Sequence, residues 1–189
     1  MLSVRIKSET LEEHQQAEAQ LLPFLNSIQT RDQYIQLLQS FLQFYQPLEN
    51  LIHAALTPEQ LPDLHERRHA HRLLSDLREL NAAEGLLPVP VRDTLTAPGA
   101  WGALYVQEGS TLGGQYISRL LLKNEALRLT PAQVSFFSGY GSQTGTRWKL
   151  FQESLNKQRD EDAIIAAAKH TFLLFQNHLN ATLNFFVTR

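Results

Sequence analysis

Apolar side chains return at three- and four-residue steps along this chain, and that one regularity excludes most folds. Tyr34, Leu37, Leu38, Phe41, Leu42, Tyr45 and Leu48 form one stripe; Ile165, Ala168, Phe172, Phe175, Leu179, Leu183 and Phe186 form another. A helix turns once every 3.6 residues, so each set lies on a single buried face. No two-residue alternation competes, and the chain reads as all-α. Helix starts carry one repeated device: Thr30 with Gln33, Thr57 with Gln60, and Thr130 with Gln133. In each, the threonine can cap a backbone N–H while the glutamine reaches back, and Pro58 and Pro131 suit the first helical position. Pro47 is expected to kink or divide the second helix, and Pro88, Val89 and Pro90 to break the chain before a segment leading to Trp101. With 189 residues, 43% of them hydrophobic, and nothing resembling a linker, residues 1–189 are expected to form one helical bundle domain.

Composition removes several classes of function. The net charge of −2, with both signs scattered, offers no basic stripe for a phosphate backbone, so nucleic acid is not expected as a partner. The chain has no cysteine, which excludes disulfides, thiolate metal sites and cysteine nucleophiles. A soft metal or a haem iron would have to use histidine. Met1-Leu2-Ser3-Val4-Arg5 leads quickly into charged residues without an apolar signal core, and no apolar run has membrane length. A cytoplasmic location is expected, with no membrane partner.

Eight of the nine glycines fall between Gly99 and Gly145, and three of them sit in Gly109-Ser110-Thr111-Leu112-Gly113-Gly114-Gln115, inside a stretch that otherwise reads as helix. Glycine costs a helix interior about 1 kcal/mol relative to alanine, so the run needs a reason beyond secondary structure. Either a flat, bulky ligand lies against this backbone or two helices pack closely there. On the N-terminal helix, Lys7, Leu11, His14, Glu18, Leu21 and Leu25 share one face at four- and three-residue steps. A histidine among leucines is either a satisfied core residue or a ligand. Glu18, one turn away, can hold the imidazole Nδ1–H directly or through water, leaving Nε2 free, as an axial ligand of haem iron requires. A histidine on an apolar helix face, a glycine-rich helix and aromatic residues on a third helix together describe a slot for haem. His65 and His69 stand one turn apart but among Arg67, Arg68, His71 and Arg72, and read as a solvated basic helix rather than a metal pair. His53, His170 and His178 have no carboxylate at ligand spacing. Asp160-Glu161-Asp162 precedes the last helix, where negative charge suits the helix dipole.

The stretch Lys7 to Glu18 resembles the proximal helix of the haem oxygenases, with His14 on the family's iron-ligating histidine and Glu18 on its neighbouring glutamate. Gly109 to Gln115 resembles the distal helix, which kinks over haem at glycines that here are Gly109, Gly113 and Gly114. Ala168 to Leu174 resembles the last core helix, with Phe172 on an aromatic residue of the haem pocket. The form Glu-Gly-Ser-Thr-Leu-Gly-Gly-Gln is closer to bacterial members, including those that supply biliverdin to bacteriophytochromes. The resemblance implies a haem-oxygenase-like fold with haem b as both substrate and cofactor. It also implies O2- and electron-dependent cleavage to biliverdin, carbon monoxide and ferrous iron. No flavin or nicotinamide motif is visible, so a reductase, ferredoxin or flavodoxin is implied as electron donor.

Two positions depart from the family pattern. Ser110 stands where mammalian members carry an aspartate that organises proton-delivering water. On the propionate side Lys7 matches a binding lysine and Lys149 another, but an expected arginine falls on Glu153, with Arg147 nearby as a substitute. Two other readings stay open: a haem-binding carrier or sensor without turnover, and an all-helical protein of this architecture acting on another small molecule.

Overall fold

The computed structural model describes residues 1–67, 69–85 and 94–187, with side chains described through residue 182. The expected break at Pro88, Val89 and Pro90, Arg68, and the side chains of Leu183 and Phe186 lie outside the described residues. The described residues form eight α-helices in order: α1 (Leu2–Glu9), α2 (Leu11–Ser27), α3 (Arg31–Ala55), α4 (Ala70–Glu79), α5 (Ala97–Lys123), α6 (Ser135–Ser138), α7 (Thr144–Leu155) and α8 (Glu161–Val187). Three single turns of 3-10 helix join them, and the described residues contain no strand.

The stripes read from the sequence are the core. Tyr34, Leu37, Leu38, Phe41, Leu42 and Tyr45 of α3 are buried, as are Ile165, Ala168, Phe172, Phe175 and Leu179 of α8. Phe41, Tyr45, Phe136 and Phe175 meet edge to face with ring centroids 5.1–6.4 Å apart, which favours the positive ring edges against the negative faces, and Phe137 packs tilted on Phe41 at 5.9 Å. The most extensive helix contact is α5 on α8. A Cβ at Gly102 would stand 2.4 Å from the Ile164 carbonyl oxygen, so the missing side chain lets the two backbones close.

The start signals divide. Thr30 and Gln33 form a complete capping box on α3, and Gln33 Oε1 accepts from the Thr30 N–H. Gln133 Oε1 accepts from the Thr130 N–H at 3.0 Å, opening a 3-10 turn that leads into α6. At Thr57 and Gln60 the same bond forms but closes a turn rather than starting a helix. Pro62 follows within the next turn, and its missing N–H and its ring stop a helix from propagating there. Pro47 lies inside an α3 that runs unbroken from Arg31 to Ala55. The expected division does not occur, because burial of the face on both sides of Pro47 outweighs the single backbone bond the proline forfeits.

The N-terminal helix, read as one, is two. Thr10 ends α1 by donating its hydroxyl to the Ile6 carbonyl at 2.7 Å, and α2 starts at the next residue. Lys7 and His14 therefore belong to different helices. Carboxylates cap two later helix starts from a distance: Glu49 Oε1 accepts the backbone N–H groups of His69 and Ala70, and Asp76 accepts those of Ser135 and Phe136. Burial pushes the Asp76 carboxyl up, and the Ser135 hydroxyl and these amides offset part of that rise.

Candidate haem site

A cavity of about 540 Å3 opens between α2 and α5, closed at its back by α3, α6 and α8 and at its side by α7. Such a volume falls in the usual range for small-molecule sites, roughly 300–1,000 Å3. His14, Glu18 and Leu11 line it from α2, Lys7 from α1, and Gly109 to Gly114 from α5. His14 and Glu18 are about half exposed, and so are the apolar Leu11 and Leu112. The α2 stripe thus parts company with itself: Leu25 is core, while Leu11, His14 and Glu18 face the cavity.

His14 packs edge to face on Phe172 of α8, centroids 5.8 Å apart at 85°. Its Nδ1 lies 3.8 Å from Glu18 Oε2, beyond direct hydrogen-bond distance but within reach of a bridging water. Across the cavity the three glycines do three different jobs. A Cβ at Gly113 would meet nothing within 4 Å, so here the wall is bare backbone. A Cβ at Gly109 would touch the Trp148 ring at 3.8 Å, an ordinary contact. A Cβ at Gly114 would lie 2.3 Å from the Phe137 carbonyl oxygen, so this glycine serves the packing of α5 on α6. The helix carries all three without interruption from Ala97 to Lys123. An apolar slot with an imidazole on one wall and bare helix backbone on the other fits a flat porphyrin.

The family model described as "Heme oxygenase" matches residues 90–181. A heme oxygenase of Xanthomonas campestris pv. campestris (strain 8004) is 31% identical over 120 residues, 61% of this chain and 69% of that protein. The chain belongs to the haem oxygenase family. Solved haem oxygenases share its fold. The NO- and CO-bound Neisseria meningitidis structures superpose with a TM-score of 0.76 at 21% identity, covering 97% of this chain and 92% of that one. The Leptospira interrogans enzyme gives 0.73 at 20% identity over 94% and 98%. Heme oxygenase-1 of Synechocystis sp. PCC6803, solved in complex with heme, gives 0.75 at 16% identity over 99% and 94%. No described helix is long and apolar enough to cross a membrane.

The propionate-side expectation needs correction. Arg147 is not on the cavity wall: its guanidinium is held by Asp63 at 2.8 Å and by Glu66, and it lies over the Tyr140 ring. Two carboxylates already hold it. Lys149 is exposed and also off the wall, so among the described lysines and arginines Lys7 is the one that lines the cavity.

A second correction concerns the basic segment read as solvated. Arg67 is fully buried and His69 is 2% exposed, at the centre of a polar cluster behind α5. Arg67 donates to both oxygens of Asp63 at 2.8 Å and to Glu108 Oε2. His69 Nε2 lies 3.0 Å from Glu108 Oε1, which also accepts the Tyr140 hydroxyl at 2.8 Å. Burial opposes ionisation of Asp63, but the hydrogen bonds and charges of Arg67 and Arg147 outweigh it and hold its carboxyl below the usual range. His65 stays outside, 75% exposed, and the described residues contain no group of three or more His, Asp or Glu placed to hold a metal ion. The Asp63–Arg67 spacing of four was readable in the sequence; Glu108, 41 residues on, was not.

Ser110 lines the cavity and donates its hydroxyl to the Gln107 carbonyl at 2.7 Å. Beside it the buried Tyr45 phenol is pushed up to about 12 by burial, the Ser110 hydroxyl offsetting part of the rise. Tyr45 therefore stays protonated at neutral pH.

Proposed function

We propose that this chain binds haem b between α2 and α5 and opens the macrocycle with dioxygen and external electrons, yielding biliverdin, carbon monoxide and ferrous iron. One observation carries the reading: an imidazole and the bare backbone at Gly113 face one apolar slot from α2 and from α5. Bound haem supplies both the carbon that is oxidised and the iron at which dioxygen is activated. Everything else falls to the protein.

His14 would hold the iron through Nε2, with Glu18 fixing the tautomer through Nδ1–H and a water. Phe172, edge-on to the imidazole, restricts ring rotation. Gly113 and Gly109 would bring the α5 backbone close enough to dictate orientation, which directs oxidation to one edge of the macrocycle. Gly114 supports that wall without touching the substrate. Lys7 would pair with a propionate at the mouth. Ser110, its proton already given to the Gln107 carbonyl, would offer lone pairs to cavity water in place of the aspartate's carboxylate. The cavity's apolar lining limits stray water.

Residues 1–189 would work as one unit in the cytoplasm, drawing electrons from a reductase, ferredoxin or flavodoxin, with a bacteriophytochrome as one recipient of biliverdin. The test is the absorption spectrum with one equivalent of haemin, followed aerobically after adding ascorbate or a reductase, with catalase present. Loss of the Soret band with growth of a biliverdin band is the expected result. A Soret band that survives reduction and oxygen would mark a carrier or sensor, and no Soret shift would remove haem altogether.

A further inference from the structure

Two-electron reduction of dioxygen consumes two protons, and the wall facing the substrate must deliver them. Most polar groups on the α5 side are already committed. Ser110 has spent its hydrogen on the Gln107 carbonyl. The Tyr45 phenol holds its proton tightly. Gln107 donates its amide to Glu49 Oε1 at 3.0 Å and to the Arg67 carbonyl at 3.4 Å, and since both partners accept only, its own Oε1 must be the acceptor left over. That oxygen is buried and has no partner among the described residues, so it can hold water but supplies no proton.

His69 is different. It lines the cavity, is 2% exposed, and its Nε2 lies 3.0 Å from Glu108 Oε1. A carboxylate accepts only, so the hydrogen of the neutral ring sits on Nε2 and Nδ1 is the ring's remaining hydrogen-bonding atom. Tyr140 donates to the same carboxylate oxygen, and Glu108 Oε2 is anchored by Arg67, so the carboxylate that fixes the ring is itself fixed. The Glu49 carboxylate holds the His69 backbone N–H. The Tyr140 hydroxyl also lies 3.2 Å from Nε2 but gives its hydrogen to the nearer Glu108 Oε1, and among the described residues no hydrogen-bond partner occupies Nδ1.

We propose, resting on the haem reading above, that His69 is the proton-handling residue of the distal wall. Its Nδ1 first takes a proton arriving from solvent through cavity water, then passes that proton to water held near Gln107 Oε1 and Ser110 and returns to the neutral ring, while Glu108 keeps the other hydrogen on Nε2 throughout. Imidazole is the side chain suited to such traffic near neutral pH. The arrangement supplies what the absent aspartate would have organised.

Two measurements test it. Histidine 15N NMR of the apoprotein should show neutral His69 with hydrogen on Nε2; hydrogen on Nδ1 overturns the proposal, with no mutant required. His69→Gln keeps a donor near Glu108 but cannot carry a proton. Its haemin uptake and Soret band should match the wild type, while biliverdin formation from dioxygen and reductant slows about a hundredfold. Hydrogen peroxide brings both protons with its oxygen, so the peroxide-driven reaction should keep its wild-type rate. An unchanged reductant-driven rate, or equal loss by both routes, would reduce His69 to a strut. Wild-type protein that takes up no haemin would instead remove the haem reading, and this proposal with it.

Discussion

On the α2 wall of the cavity His14 and Glu18 are 49% and 55% exposed, whereas on α5 Gln107 of the wall and Glu108 behind it are each 1% exposed. The first wall makes one long carboxylate contact and one ring contact. The second is backed by Arg67, His69, Tyr140 and Glu49 in a continuous hydrogen-bonded cluster. The difference separates two tasks. A ligand-holding wall can stay incomplete until the ligand covers its exposed leucines and imidazole, because covering them contributes to binding. A wall that orients a small reactant must be rigid beforehand, because reorganisation during the reaction would cost rate.

The largest expected effect breaks the first wall. His14→Ala should abolish the native haem spectrum yet leave apoprotein stability within about 0.5 kcal/mol, as expected for an exposed side chain. Spectral titration and denaturant unfolding on one sample check both, and an unchanged spectrum would end the assignment. Next, Arg67→Met should destabilise the apoprotein by about 3–5 kcal/mol by leaving Glu108 buried without its guanidinium. A loss under about 1 kcal/mol in urea unfolding would mean the distal wall is not held from behind.

The glycines sharpen the comparison within one helix. Gly114→Ala should cost about 1–3 kcal/mol through the clash with the Phe137 carbonyl. Gly113→Ala, with open space around it, should stabilise the apoprotein by up to about 1 kcal/mol. Thermal unfolding of the pair should therefore move in opposite directions. Gly113→Leu should spare haem uptake and block turnover, and full activity there would show that this backbone does not overlie the substrate.

The smallest effect is in acid. The Asp63 carboxyl is held low in the folded protein, so its contribution is fully present above the ordinary aspartate range, near 3.9, and disappears as pH falls through the depressed folded value. Wild-type stability should therefore fall more steeply below about pH 4 than that of Asp63→Asn. Parallel curves in acid would show that the Arg67 and Arg147 contacts add nothing there.

Much of this molecule was readable as periodicity. The faces of α3 and α8 are buried as their spacing requires, because a helix's face depends only on residues within a few turns. The pairing of His14 with a glycine-rich helix was readable too, since a histidine on an apolar stripe and glycines within a helix are each locally anomalous. Local reasoning failed at Thr10, where one hydroxyl to Ile6 marks the split of a helix; at Pro47, of the kink or division expected, burial rules out the division.

Charge was the least readable property. Arg67 and His69 look solvated when only their basic neighbours are counted, and Arg147 looks available when nothing shows Asp63 and Glu66 around it. Gly109, Gly113 and Gly114 look equivalent until Trp148, open space and Phe137 are placed beside them. Sequence by itself determined the all-helical class, the buried faces and the candidate histidine on the cavity wall, since these follow from short-range spacing and side-chain chemistry. Tertiary structure alone decided which cations the described carboxylates hold, which glycine presents bare backbone to the cavity and which imidazole has a carboxylate behind it, because partners distant in sequence set the state of a buried polar group.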